Sequence, residues 1–251
     1  MANKLFMLNM ISLPTEYEYN QAGFQKIKEY AANLAMNSRF SRIVWAKVRT
    51  GNVGNFAFEV NGSGLALRAL ITNYSGGSTE FCAQMGVNYG TLEGDHLILP
   101  SKKDREELVD KYKIATVKGG DGVYPYHIND NTTTQSFKSS YSEEQNVRMG
   151  NAVAHGLDRI FYTYLGLKND FFTRNRLIKQ FSSFIETRCI NNQIFAMDGY
   201  QVVCDSSNNT EEMKANNVLR VDVYVKYPKA IKYGLLYINT MPLDTGSTQS
   251  A

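Results

Sequence analysis

The apolar positions Phe24, Ile27, Ala31, Leu34 and Ala35 recur at helical spacing within residues 21–36, and Gln25, Lys26, Lys28 and Glu29 fill the opposite side. That pattern predicts an amphipathic helix. The period then changes. RIVWAKVR at 42–49 and NFAFEV at 55–60 are rich in β-branched and aromatic residues, and TGNVG between them carries turn chemistry, so a hairpin is expected. The apolar stretch near the N-terminus, broken by Asn9 and Pro14, reads as a first or edge strand. Residues 65–74, 80–89 and 96–99 read as further short strands in a glycine-punctuated region.

Ser101 stands before KKDREELVDKYK, with Asp104 and Glu106 near the first turns. A helix capped by the Ser101 hydroxyl and ending near Lys113 is expected. Residues 119–140, GGDGVYPYHINDNTTTQSFKSS, hold few apolar anchors, so they are expected to form a long exposed loop and to mark the boundary between regions 1–140 and 141–251. Ser142 and Gln145 have capping-box spacing ahead of the helical face Val147, Gly150, Ala154, Leu157, Phe161 and Leu165. A second helix is predicted over 174–188 from Leu177, Ile178, Phe181, Phe184 and Ile185.

The C-terminal end has strand periodicity. Leu219, Val221, Val223 and Val225 alternate with Arg220, Asp222, Tyr224 and Lys226, and Tyr227-Pro228 turns the chain into IKYGLLYIN at 231–239. There Ile231, Tyr233, Leu235, Tyr237 and Asn239 share one face, and Leu236 and Ile238 lie on the other. A strand apolar on both faces is buried on both, within its own domain or in the sheet of another chain. The fold class is α+β, with mixed or antiparallel sheets and packed helices.

Composition adds bounds. The chain has 251 residues, enough for one large domain or two small ones, and 27 basic against 24 acidic residues give a net charge of only +3. Such a balance neither requires nor excludes a nucleic-acid partner. Cys82, Cys189 and Cys204 form no CxxC pair and read as free thiols of a reducing compartment. No run is long enough for a membrane helix, so a soluble protein is expected. His96, His127 and His155 are widely separated, and no nucleophile elbow or phosphate-loop spacing is present. Gly119-Gly120-Asp121-Gly122 and Gly62-x-Gly64 read as turns, and Asp158, Arg159 and His155 as a solvated helix face. The expectation is no catalytic residue, no metal, no cofactor and no membrane partner.

In the last third, Asn169-Asp170, Phe172-Thr173-Arg174, GYQVVCDSSNNT at 199–210, Asn217, VDVYVK at 221–226, Lys229, Ile231 and Thr245-Gly246 occur in order. This series resembles the C-terminal domain of contractile phage tail sheath proteins, over about residues 145–251. The resemblance implies a sheath-like α/β domain with an extended C-terminal arm, packed on a tail tube and adding a strand to a neighbouring subunit's sheet. It implies a virion structural protein, not an enzyme, whose partners are copies of itself and the tail tube or other tail proteins. The arm residues for assembly would be Ile231, Tyr233, Leu235, Leu236, Tyr237 and Ile238. Cys204 and the Asx/Ser-rich turn after it read as structural.

The first two thirds show no resemblance to a sheath subunit. Gly23-Phe24, Tyr30-Ala31, Asn33-Leu34-Ala35, Arg39-Phe40, Trp45, Gly120-Asp121-Gly122, Tyr124-Pro125, Tyr141-Ser142 and Gly150-Asn151-Ala152 resemble instead the repeated backbone subunit of type I-F CRISPR surveillance complexes. That alternative implies guide-RNA binding. Arg39, Arg42, Lys47 and Arg49 would contact phosphates and Trp45 would stack on a base. Both families build helical assemblies of repeated subunits, so self-association is expected under either.

Overall fold

A computed structural model describes residues 9–11, 21–34, 37–53, 56–61, 83–92, 95–96, 100–119, 125–190, 199–232 and 237. The first half is built around a sheet of order β1-β2-β6-β7. Here β1 is Asn9–Ile11, β2 is Ser41–Trp45, β6 is Ile114–Lys118 and β7 is His127–Ile128. The first three strands run parallel, and β7 closes the row antiparallel to β6. All five residues of β2 are buried, as expected of a parallel strand covered on both faces.

Helix α1 (Gln21–Leu34) has the predicted amphipathic character. Its Phe24 and Ile27 meet Ile43, Trp45, Leu108 and Ile114 in one core cluster. Val44, Ala46, Leu92, Ala115, Val117 and Ile128 form a second. Alternation along β2 thus sends Ile43 and Trp45 into one cluster and Val44 into the other. Parallel strands need crossovers, which α1 and a later helix supply.

The expected single strand 42–49 is two strands. β2 ends at Trp45, and β3 (Lys47–Val53) starts a separate three-stranded sheet of order β4-β3-β5, with β4 at Phe56–Asn61 and β5 at Asp95–His96. The hairpin itself stands: β3 and β4 pair antiparallel, with a register shift between Thr50 and Asn52. The strand expected over 80–89 is corrected at its described end, where Gly86–Tyr89 is a short helix, α2. Residues 65–74 and 97–99 lie outside the described residues.

Helix α3 (Lys102–Tyr112) ends as the sequence predicts: the Ser101 hydroxyl accepts from Asp104 N, and Lys113 takes a left-handed conformation. Leu108 turns inward, while Lys28 of α1 donates to Glu107 at 2.8 Å. The second half pairs α4 (Glu144–Tyr162) with α5 (Phe171–Ile185), beneath a two-stranded antiparallel sheet of β8 (Gly199–Val203) and β9 (Asp222–Lys226). A short helix, α6 (Glu211–Ala215), lies between the two strands in sequence. The third core contains Met149, Val153, Leu157, Tyr164, Leu177, Phe181, Ile185, Cys204 and Tyr227.

Two starts shift from their expected places. α5 begins three residues early because the Asp170 carboxylate caps Thr173 N at 2.8 Å. The capping box lies before α4 and not on it: Ser139 and Ser142 cap one another across a 3-10 turn, Ser140–Ser142.

Of the residues expected as a long exposed loop, 136–140 are exposed and 120–124 lie outside the described residues, but the stretch between them is the largest correction. Described residues 125–135 form β7 and a buried polar run, with Asp130, Asn131, Thr132, Thr133, Thr134 and Gln135 all inside. Low apolar content did not mean exposure, because these groups are paired with backbone. Asn129 N bonds Thr116 O at 2.9 Å, and Thr134 N bonds Ser41 O at 2.9 Å. On the other side Thr133 N bonds Ser142 O at 2.9 Å, and Glu144 N bonds Asn131 O at 2.8 Å. The run is a seam between the parallel sheet and α4.

Gly119 ends β6 with φ +104°, and a Cβ there would lie 2.4 Å from Pro125 O. Gly119→Ala is therefore expected to lower stability by about 2 kcal/mol or more in urea unfolding. Gly86→Ala, at φ +71° but in open space, should cost about 1 kcal/mol. Equal losses would contradict the tight seam. Asp170, Asp205 and Asp222 are held below the usual carboxylate range, mainly by hydrogen bonds from Thr173, Ser207 and Asn208 respectively. A depressed folded pKa adds stability that is present above the unfolded value and is lost as pH falls through the folded one. The melting temperature should accordingly drop as pH falls below about 4, and Asp205→Asn with Asp222→Asn should flatten that decline.

Candidate assembly surface and its buried joint

The turn after β8 is built by short polar side chains. Asp205 accepts from Ser207 N at 2.8 Å, Asn208 Nδ2 donates to Val203 O and Asp222 Oδ2, and Arg220 Nε donates to Asp222 Oδ1 at 2.9 Å. Buried Asn209 ties the turn to the strand entry, donating to Arg220 O at 2.9 Å and accepting from Arg220 N at 2.8 Å. Asn217 has φ +55°, a conformation asparagine tolerates better than most residues. Asn169 Nδ2 reaches Val218 O at 3.2 Å, and Arg174 holds Asn169. Asn169, Asp205, Asn208, Asn209 and Asp222 of the last third's motifs thus fasten the β8–β9 hairpin. Cys204 is a buried free thiol, pushed up in pKa chiefly by burial, which suits a core role and not a reactive one.

The hairpin packs one face inward, with Tyr200, Val202, Val223 and Val225 on the third core. Tyr224 remains 58% exposed on the other. No third strand pairs with β8 or β9 among the described residues. Nearby in sequence, Ile231 is 88% exposed and Tyr237 is 79% exposed, and neither lies in a strand. Tyr233, Leu235, Leu236 and Ile238 lie outside the described residues.

The residues expected to bind RNA are not brought together on a surface. Arg42 is wholly buried and Trp45 nearly so, its ring 6.1 Å from Phe24. Neither can touch a phosphate or stack on a base. Arg39 is at the surface but lies over the rings of Phe40 and Tyr141, 4.8 and 4.7 Å from their centroids. Lys47 and Arg49 belong to β3, the other sheet.

Arg42 instead organises the seam. Its guanidinium donates to Gln84 Oε1 at 2.7 Å, Gln84 O at 3.1 Å and Asp130 O at 2.8 Å. Glu144, also wholly buried, lies 3.8 Å away and takes its direct bonds from Arg148. Burial pulls the Arg42 pKa down, and the Glu144 charge pulls it back up. One cation from β2 therefore faces the first residue of α4, so the two halves are joined through charge as well as backbone.

Sequence reading missed Arg42, Gln84, Asp130 and Glu144 as a group. The available signal was a charged residue inside SRIVW, a run otherwise too apolar for a solvent-facing strand.

No protein-family model and no curated protein sequence matches the chain. Solved structures do. A chain of the sheath complex of the PVC extracellular contractile injection system, in its contracted state, aligns over 93% of this chain and 64% of its own, with a TM-score of 0.76 and 14% identity. Chains of the anti-feeding prophage baseplate and of its contracted helical sheath each align over 82% of this chain, with TM-scores of 0.67 and 0.64 and identities of 13% and 12%. They are covered over 56% and 57% of their lengths. The resemblance to sheath proteins is thus a resemblance of fold, and it extends well beyond the last third to which the sequence confined it. The chain spans just over half to under two thirds of the length of these structures.

Removing Arg42 strands the buried Gln84 and Asp130 oxygens, and neutralising Glu144 leaves the buried guanidinium without its facing carboxylate. Arg42→Ala and Glu144→Gln should each lower stability by about 3 kcal/mol or more, measured by urea unfolding. The double variant should cost less than their sum. Full additivity would mean that the two residues act independently.

Proposed function

We propose that this chain is a sheath-type structural subunit of a contractile tail or related injection system, acting by polymerisation and without catalysis. The observation that carries the reading is the fold shared with sheath chains over nearly the whole described molecule. Polymerisation runs through strand addition: the segment at 231–239 of one copy pairs with an edge of the β8–β9 sheet of the next. Two features support this. A two-stranded sheet is a marginal unit on its own and gains from a third strand. The segment that follows it combines exposed Ile231 and Tyr237 with the two-faced apolar pattern of IKYGLLYIN, suited to pockets on either side of an acceptor sheet.

Partners under this reading are further copies of the chain and the tube or other tail components that the sheath encloses. The site of action is an assembled particle, such as a phage tail. Contraction would be a change between two discrete packings of subunits that stay tied by the exchanged strands, driven by the free-energy difference between the packings.

Negative-stain electron microscopy of the purified protein tests the reading, with rings or tubes free of nucleic acid as the expected result. Leu236→Pro, which deletes a ladder donor and fixes φ, should give only small particles while leaving the circular-dichroism melt of the chain unchanged. Removal of residues 233–251 should do the same. Ordered assembly by both variants would reject strand addition. Particles that form only with RNA would reject the sheath role.

A further inference from the structure

We infer that residues 227–232 are a strap that fixes the root of the C-terminal segment to the buried joint, so that the segment's direction is set by the parallel sheet as well as by the hairpin it leaves. After β9 the chain is held at three successive points. Tyr227 is buried with its ring 6.0 Å from Tyr141. Its hydroxyl lies where a Cβ on Gly150 would come within 3.1 Å, so α4 has no side chain at the place where the tyrosine seats. Ala230 N donates to Glu143 Oε2 at 3.3 Å. Lys232 Nζ then bonds both carboxylate oxygens of Asp130, at 2.9 and 3.0 Å, across 102 residues of sequence.

Asp130 joins the strap to the joint. Its side chain, 6% exposed, takes Lys232, and its backbone oxygen takes the buried guanidinium of Arg42 at 2.8 Å. It stands two residues after β7 and is therefore fixed to the first half of the chain. Ile231 beside the ion pair is 88% exposed. The last of the three contacts therefore falls at Lys232, six residues beyond Lys226, where β9 ends.

That location has a mechanical consequence. An extended tether of six residues between Lys226 and Lys232 would sweep a radius of up to about 20 Å. Strapped down, the same residues leave the segment pointing from one place on each subunit, which cuts the entropy lost when it finds a partner. The strap is a property of the single chain and is measurable whether or not strand addition is how the chain assembles.

The test is peptide-resolved hydrogen exchange on the unassembled full-length protein, comparing the parent with Asp130→Asn, Lys232→Gln and the double variant. Asp130→Asn keeps the backbone oxygen that Arg42 needs, and Lys232→Gln changes a residue at the rim, so neither removes a core side chain. Amides of 229–232 should exchange about tenfold faster or more in each single variant, with β8, β9 and α4 unchanged. The double variant should be no faster than the quicker single one, because both remove the same contact. Unchanged exchange at 229–232, or equal loosening of β8, β9 and α4, would overturn the strap. Loss of assembly with an intact strap would count against strand addition alone.

Discussion

The buried guanidinium of Arg42 is the constraint around which the two halves of this chain are arranged. It stands in the middle of an otherwise apolar strand, wholly removed from water, where an unpaired charge would be prohibitive. Its partners come from three separate places: Gln84 before α2, Asp130 after β7, and Glu144 at the start of α4. Satisfying one side chain therefore requires the parallel sheet, the polar run and the C-terminal helices to be in register at once. A purely apolar contact could slide; this one has few alternatives of comparable energy. Buried ion pairs seldom add net stability over well-packed apolar groups, and specifying one arrangement is their better-attested role.

The polar run beside it extends the same logic along the chain. Asn131, Thr132, Thr133 and Thr134 are short residues that the backbone can pass closely, and their amides and hydroxyls serve both halves. Thr134 closes on Ser38, Thr133 on Tyr141, and the isolated bridge between Thr132 and Glu143 completes the stitch. A seam of this kind is directional where a hydrophobic interface is not. It transmits orientation between two units, which is what a subunit needs if its binding edges are on one half and its bulk on the other.

Much of this was legible from the residues, and the limits have physical causes. Periods of 3.6 and 2 located α1, α4, α5 and β9, and the hydroxyl of Ser101 located the start of α3, because local energetics decide those features. The sheath-like motifs of the last third also have local explanations, in the Asp205 turn, the buried Asn209 and the left-handed Asn217. Tertiary context decided the rest. Residues 42–49 read as one strand because propensity does not register that the chain changes sheet at Ala46. Residues 125–135 read as solvent-exposed because polar composition usually means hydration, and here protein replaces the water. Arg42 read as a phosphate ligand for the same reason: a basic residue beside a tryptophan looks the same in sequence whether it faces a nucleic acid or a carboxylate.

The same distinction separates what the single chain completes from what it leaves open. Around the joint, residues up to 102 positions apart exchange hydrogen bonds within one molecule, with Arg42 Nε and Asn131 Oδ1 left unbonded among the described residues. Among the described residues β8 and β9 form a sheet of two strands, a size at which pairing alone gives marginal stability, and its outer face carries an exposed Tyr224. A hairpin of that size depends on the helices beneath it, and its position therefore follows that of α4 and α5. Exposed apolar groups stand on the hairpin at Tyr224 and after it at Ile231 and Tyr237, the last two on either side of the contact at Lys232. If the chain assembles as proposed, the joint would hold that surface in one orientation on every copy.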